Sequence, residues 1–195
     1  MRKSVKFTYT LVSLALMSTP ALAHVEPGAA SGMLAGITHP FLGIDHLLAM
    51  LAVGIWSVLA ANKGTGVNRI WLPALVFLGA MIAGGSLGVA GVILPAGETA
   101  IALSVLVLGL MIVTRIELGI KPGLALIAGF AIFHGQAHGI EATGAIATYF
   151  TGFVLATATL QLAGMAVGTL ITNIRYGVSV LGFTCAAAGV AMIAM

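Results

Sequence analysis

The residues best suited to chemistry in this 195-residue sequence lie in one apolar segment, Phe133-His134-Gly135-Gln136-Ala137-His138-Gly139-Ile140-Glu141. On a helix, the two histidines are i and i+4 and Glu141 follows at i+7, so all three side chains fall within roughly 60° of arc on one face. Such histidines can bind one metal ion, and a carboxylate one turn further can add an oxygen ligand. The competing interpretation is helix-packing histidines bonded to backbone carbonyls. The two glycines form a small-xxx-small pattern on an adjacent face, where a neighbouring helix could approach closely.

A second group of ionisable residues lies in the segment His39-Pro40-Phe41-Leu42-Gly43-Ile44-Asp45-His46. On a regular helix, His39 and His46 share a face and Asp45 points about 100° away from His46. The proline lacks an N–H for the preceding turn and biases His39 away from helical geometry. Together with Gly43, the proline makes a regular helix doubtful. We therefore expect a broken helix, of the kind that lines ion sites in transporters. Met50, one turn beyond His46, could line the pore with a soft sulfur or could simply pack.

The composition predicts an all-α, polytopic membrane protein. Hydrophobic residues make up 60% of the chain and charged residues only 7%, and the mean hydropathy is +1.15, whereas soluble domains carry about 25% charged residues. Apart from three basic residues at the extreme N-terminus, five basic residues balance five acidic ones, so nothing indicates nucleic-acid binding. Cys185 is the only cysteine, so the chain can form neither an intramolecular disulfide nor a thiolate metal cage.

Residues 1–23 have the pattern of a cleavable secretory signal peptide: a basic start, a short apolar run and the site Ala21-Leu22-Ala23. The alternative is an uncleaved first transmembrane helix. Residues 24–195 are then expected to form one transmembrane domain. Its six apolar segments, each judged long enough to cross about 30 Å of hydrocarbon, lie near 31–61, 69–94, 98–114, 120–141, 143–172 and 176–195.

The basic residues indicate the orientation of these six spans. If the mature N-terminus is periplasmic, the loops after the first, third and fifth spans are cytoplasmic, and the other loops hold no basic residue, as the positive-inside rule requires. We therefore expect a bacterial inner-membrane protein with both termini in the periplasm. The basic residues in the cytoplasmic loops are Lys63, Arg69, Arg115, Lys121 and Arg175.

This topology places the candidate metal-binding residues in the outer half or the middle of the membrane, where a charge costs at least ~2.5 kcal/mol and is rarely without function. Glu98, at the start of the third span, could instead complement the helix dipole. Imidazole and carboxylate ligands without thiolates suit Ni²⁺, Co²⁺ or Zn²⁺ rather than Cu(I), and histidines do not suit the oxygen cages of calcium and magnesium. The candidates are His39, Asp45, His46, Glu98, His134, His138 and Glu141.

The external tail offers an entrance for metal. Cleavage after Ala23 would leave His24 with a free α-amine whose pKa is about 7.7–8.0, so the amine and the imidazole could chelate one ion together. Glu26 could add an oxygen. The alternative is a disordered tail whose first residue is accidental.

The two motifs together, His39-x5-Asp45-His46 and Phe133 to Glu141, resemble those of the HupE/UreJ family of nickel/cobalt permeases, and the resemblance covers essentially the whole mature chain. It implies uptake of Ni²⁺ or Co²⁺ as a transported ion, with no prosthetic group and no enzymatic activity. It also implies a link to hydrogenase, urease or cobalamin supply, and hence metallochaperones or metalloenzyme maturation proteins as partners beside the lipid bilayer. Further matches are an acidic residue at Glu98 and the second-span residues Pro73, Phe77, Met81 and Gly84, of which Phe77 could line the pore.

Two other classes of function fit the same residues. An intramembrane hydrolase would hold Zn²⁺ and a water, although the sequence has no His-Glu-x-x-His. A membrane subunit could bind haem between two histidines, although Asp45, Glu98 and Glu141 would sit awkwardly against a porphyrin. No P-loop is present, so transport would use the ion gradient, the membrane potential or proton exchange.

The arrangement of the motifs also suggests an internal repeat. Two three-helix halves of opposite topology, as in inverted-repeat transporters, would make 39–46 and 134–141 corresponding positions. We then expect the first and fourth spans to be neighbours, with the histidines of one facing those of the other.

Overall fold

A computed structural model describes residues 32–61, 69–115, 120–142 and 144–195, which form seven α-helices and no strand. The predicted all-α fold is therefore confirmed for this part of the chain. The predicted signal peptide, His24 and Glu26 lie outside it. The helices are α1 (Met33–Leu42), α2 (Ile44–Ala60), α3 (Leu72–Val89), α4 (Gly97–Thr114), α5 (Ile120–Glu141), α6 (Ile146–Ile171) and α7 (Gly177–Ile193).

Four helices, α3 to α6, are long and apolar enough to cross a membrane. Helices α1 and α2 meet at a bend of 84° and make a fifth span if they are taken together. Helix α7 is apolar but has 17 residues, about 26 Å of helix. By length and hydropathy, the described helices thus give a multi-pass membrane protein with four or five spans.

The break in the first predicted span lies at Gly43 and not at Pro40. Gly43 has an extended backbone (φ −85°, ψ 112°), whereas Pro40 lies inside α1 and His39 keeps helical geometry. The expectation that the proline would displace His39 from the helix is therefore wrong. The proline costs α1 one hydrogen bond near its C-terminus, which a helix that ends two residues later tolerates.

Close packing between helices depends on glycines. On α5, a Cβ at Gly135 would overlap the carbonyl oxygen of Met81, and one at Gly139 would overlap that of Gly85, both on α3. The predicted close approach along the small-xxx-small face is therefore confirmed. On α6, a Cβ at Gly152 would similarly overlap the backbone of α1 at Met33.

The glycine contacts also show the relative directions of the helices. Contacts advance together along α3 and α5, where Gly84 meets Ile132 and Gly88 meets Gln136, so these two helices run parallel. Helices α2 and α6 also run parallel, because Gly54 meets Gln161 and Ile55 meets Gly168. Helices α4 and α7 run antiparallel, with contacts from Gly109 to Ala186 and from Val113 to Gly182. These directions are those of spans that alternate across a membrane.

Candidate metal-binding site

Four histidine rings form one cluster where α1, α2 and α5 meet. The ring centroids of His39 and His138 are 4.5 Å apart, those of His46 and His138 4.5 Å, and those of His46 and His134 4.8 Å. The His134 and His138 side chains are fully buried, and His46 is nearly so. The expected facing of the first-span and fourth-span histidines is therefore confirmed.

The break at Gly43 makes this cluster possible. Because α1 ends before it and α2 begins after it at an angle of 84°, the C-terminal end of α1 and the N-terminal end of α2 both present a histidine to α5. The expected helix break is confirmed, so His39 and His46 do not share one face of a regular helix. The bend instead brings their ring centroids to 5.9 Å.

Asp45 holds His46 in one orientation. Its Oδ1 atom accepts a hydrogen bond from the backbone N–H of His46 at 2.7 Å and lies 2.7 Å from the Nδ1 atom of the same residue. The expectation that Asp45 points away from His46 is therefore wrong, because a residue in the first turn of α2 can fold its side chain back onto the free N–H groups there. A carboxylate only accepts, so Nδ1 carries the proton and Nε2 keeps a free lone pair.

Ser104 on α4 orients His134 as Asp45 orients His46. The Ser104 hydroxyl donates to the carbonyl of Ile101 at 2.6 Å and lies 3.0 Å from Nε2 of His134. Because the hydroxyl proton is already engaged, the serine oxygen accepts from Nε2–H and leaves the Nδ1 lone pair of His134 free. Ser104 was not among the residues predicted from the sequence, where a serine within an apolar segment is its only signal.

Helix α6 closes the cluster beside His138. The Tyr149 hydroxyl lies 3.5 Å from Nδ1 of His138, and the ring centroid of Phe153 is 3.7 Å from that of His138. Both aromatic side chains are buried. They were missed in the sequence, where buried aromatic residues look like ordinary packing.

Three histidine nitrogens in the cluster are buried without a hydrogen-bond partner among the described residues: His46 Nε2, His134 Nδ1 and His138 Nε2. Buried polar atoms in proteins are nearly always hydrogen-bonded, so each exception needs an explanation. In His46 and His134 the other ring nitrogen is held by a neighbour, which is the arrangement of metal-ligating histidines. A transition-metal ion that accepts imidazole lone pairs would satisfy all three.

A more accessible group lies beside this cluster. Ligand atoms of His39, His138 and Glu141 all fall within 4.8 Å of one another, and His39 Nε2 lies 3.2 Å from Glu141 Oε2. The exposed fraction of the side chain is 37% for Glu141 and 13% for His39, against none for His138. Exposure therefore falls stepwise from the carboxylate to the buried imidazoles.

The other predicted residues lie outside this group. Glu98 is exposed, in the first turn of α4. Phe77 is fully buried on α3, with its ring centroid 5.9 Å from that of His134. Met50 is also fully buried, in the same hydrophobic core as Phe77. The structure thus brings six of the seven predicted metal-binding residues together and leaves Glu98 apart.

Comparison with known proteins identifies the family. The family described as HupE / UreJ protein matches residues 12–192. The chain belongs to the HupE/UreJ family. It is 42% identical over 173 residues to protein HupE of Rhizobium leguminosarum bv. viciae. This match covers 85% of the present chain and 84% of the relative. No solved structure matches the chain.

Family membership decides between the classes of function. HupE/UreJ proteins are transport or accessory membrane proteins associated with nickel and cobalt uptake, and they are not enzymes, so the intramembrane hydrolase is excluded. The bis-histidine haem site also finds no support. The four rings contact one another edge to face, which leaves no gap for a porphyrin plane between them.

Proposed function

We propose that this HupE/UreJ protein is an uptake permease of the bacterial inner membrane for Ni²⁺, Co²⁺ or both. The observation that carries the proposal is the set of three buried imidazole nitrogens without a partner among the described residues. They lie in a cluster whose rings are 4.5–4.8 Å apart. Imidazole nitrogens are ligands that suit first-row divalent transition metals, and Asp45 supplies a nearby negative charge.

The gradient of exposure supports a route for the ion. An incoming cation would first meet the Glu141 carboxylate with His39, and then the buried rings of His138, His46 and His134. Each step exchanges water for protein ligands while keeping a nitrogen or oxygen donor within reach. Glu98, exposed at the start of α4, could attract cations to the same side.

The distribution of basic residues supports an entrance on the periplasmic side. Lys121 is the second residue of α5, whose far end carries Glu141, and the two are about 30 Å apart along the helix. Arg115 and Arg175 likewise follow the ends of α4 and α6 that point away from the cluster. By the positive-inside rule the basic end is cytoplasmic, so the cluster opens toward the periplasm, where both termini would also lie.

We further propose six membrane spans with a three-plus-three inverted repeat. Helix α7 reaches the lower limit of about 17 residues for a span, and its antiparallel contact with α4 suits a final crossing. In such a repeat, the second span (α3) corresponds to the fifth (α6), and the fourth span (α5) corresponds to the first (α1 and α2). The parallel contact of α3 with α5 would then correspond to the parallel contact of α6 with α1 and α2. Both contacts are made through glycines, which supports this symmetry.

The proposal extends to the N-terminus and to partners. After removal of residues 1–23, the α-amine and imidazole of His24, with Glu26, would capture ions ahead of α1. Ions delivered to the cytoplasm would pass to metallochaperones or maturation proteins of a nickel or cobalt enzyme. Phe77 and Met50, both fully buried, would line the inner continuation of the path.

Uptake of radioactive Ni²⁺ and Co²⁺ into cells with and without the protein tests the function. We expect protein-dependent accumulation of one or both ions, with mutual competition that shows which ion is preferred. A His46→Ala variant, expressed at the same level in the membrane, should take up no more than cells without the protein. Equal accumulation in cells with and without the wild-type protein would contradict the proposal.

A further inference from the structure

The buried face of α6 continues beyond the histidine cluster with polar residues. Tyr149 and Phe153 contact His138, and the next residues at the same four-residue spacing are Thr157 and Gln161, both buried. Gln161 lies eight residues past Phe153, about 12 Å further along the helix, and about 15 Å before the end of α6 at Ile171. It therefore lies between the cluster and the opposite face of the membrane.

Gln161 has an amide that the fold does not use. The residue is 1% exposed, and neither Oε1 nor Nε2 has a hydrogen-bond partner in the part of the chain that the structure describes. The other buried glutamine, Gln136, donates from Nε2 to the carbonyl of Val92 at 3.1 Å. An unpaired amide in an apolar interior is costly, because both its donor and its acceptor have lost water.

Weak metal ligands occupy the level between the histidines and Gln161. The Thr157 hydroxyl lies 3.8 Å from the sulfur of Met81, and the Met81 backbone packs against Gly135, next to His134. Met50 is one turn beyond His46 and is fully buried in the same core as Met81. Hydroxyl, thioether and amide groups are uncharged donors that bind a divalent ion less tightly than imidazole or carboxylate.

The backbone holds Gln161 firmly at this level. Its carbonyl oxygen packs against Gly54 of α2 so closely that a Cβ there would overlap it, and Gly164, one turn on, meets the same part of α2. A side chain on so tightly packed a helix crossing has little freedom to move toward solvent. Its amide therefore stays in the interior of the bundle.

We propose that Gln161, with Thr157, forms a second and weaker position for the divalent transition-metal ion, through which the ion leaves the histidine cluster toward the cytoplasm. The Gln161 Oε1 atom would be the ligand. Conduction requires sites that bind well enough to be entered and weakly enough to be left, and neutral oxygen donors after a histidine site meet that requirement. The inference rests on the transport function proposed above.

The test uses the full chain, purified and reconstituted in lipid vesicles, with radioactive Ni²⁺ and Co²⁺ as probes. Gln161→Leu keeps most of the side-chain volume and removes the amide without adding a donor atom. We expect its maximal uptake rate to fall roughly 10-fold or more, while equilibrium binding of the ion to detergent-solubilised protein at the histidine cluster is unchanged. Its melting temperature should not fall, because an apolar group replaces an unpaired polar one. A purely structural glutamine would not give lower flux without lower stability.

Two further variants complete the test. Gln161→Asn keeps an uncharged amide oxygen near the same position and should retain a substantial part of the uptake lost in Gln161→Leu. Leu160→Met, a buried neighbour on the same helix, should transport like the wild type. Wild-type flux in Gln161→Leu, or equal loss in Gln161→Leu and Gln161→Asn, would overturn the inference while leaving the transport function in place. Vesicles in which the wild-type protein moves neither ion would instead refute the transport function itself.

Discussion

Ser104 offers a sharp test of how the site is built. Its hydroxyl accepts from Nε2–H of His134 at 3.0 Å while donating to Ile101, so it sets which nitrogen of a buried imidazole is free to bind metal. Ser104→Ala leaves His134 with two poor choices. Either Nε2–H stays buried without an acceptor, or the proton moves to Nδ1 and blocks the ligand position.

The expected loss of metal affinity in Ser104→Ala follows from the cost of the unpaired N–H donor. A buried donor without its acceptor costs about 1–3 kcal/mol. The metal-bound form must bear this cost because its Nδ1 atom binds the ion, whereas the metal-free form can relieve it by moving the proton to Nδ1, toward the unpaired Nε2 of the neighbouring His46 ring. The affinity of the cluster for Ni²⁺ or Co²⁺ should therefore fall roughly 5- to 150-fold. The side chain of Ser104 need not touch the ion for this effect to appear.

Ser57 provides the matched control. It is also fully buried on an apolar helix, and its hydroxyl donates to the carbonyl of Val53 at 2.9 Å. Ser57→Ala therefore removes a comparable hydroxyl and a comparable helix-internal hydrogen bond without touching a histidine. Calorimetric titration of both purified variants, with their melting temperatures, separates loss of affinity from loss of stability. Equal metal affinity in Ser104→Ala and Ser57→Ala would contradict a role for Ser104 in orienting His134.

Three further predictions concern the ligands, the helix break and the entrance. Replacing single residues of the cluster should abolish uptake while membrane insertion persists, as measured by ion flux and by protein level in isolated membranes; wild-type flux in any two variants would contradict a single site. Gly43→Ala should weaken metal binding, because a Cβ there would lie 2.8 Å from Asp45 Oδ1 and 3.0 Å from His46 Nδ1. Gly79→Ala, where nothing lies within 4 Å, should not weaken it, and equal affinities would argue against a role for the Asp45–His46 pair. His24→Ala, with the mature terminus confirmed by mass spectrometry, should lower the apparent affinity for uptake but not the maximal flux, and an unchanged affinity would exclude capture by the tail. The cluster variants are His46→Ala, His134→Ala, His138→Ala and Asp45→Asn.

Much of this protein could be predicted from the sequence because the lipid bilayer leaves few choices. Apolar segments at membrane length must be helices, since no other single segment satisfies its own backbone in lipid. Ionisable residues such as His134 and His138 are too costly there to be without function. The small-xxx-small spacing of Gly135 and Gly139 similarly indicated a close helix contact, which α3 provides. These inferences use only local periodicity and the cost of burial.

The assembly of the site depends on contacts between residues that are far apart in the sequence. The histidines of the first span come together because the chain turns by 84° at Gly43, and a bend of that size depends on what the two helices pack against. Ser104 and Tyr149 contact histidines 30 and 11 residues away in the chain, a relation that no spacing rule contains. Sequence periodicity describes the faces of regular helices, whereas a metal site is defined by side chains that meet where helices break and cross.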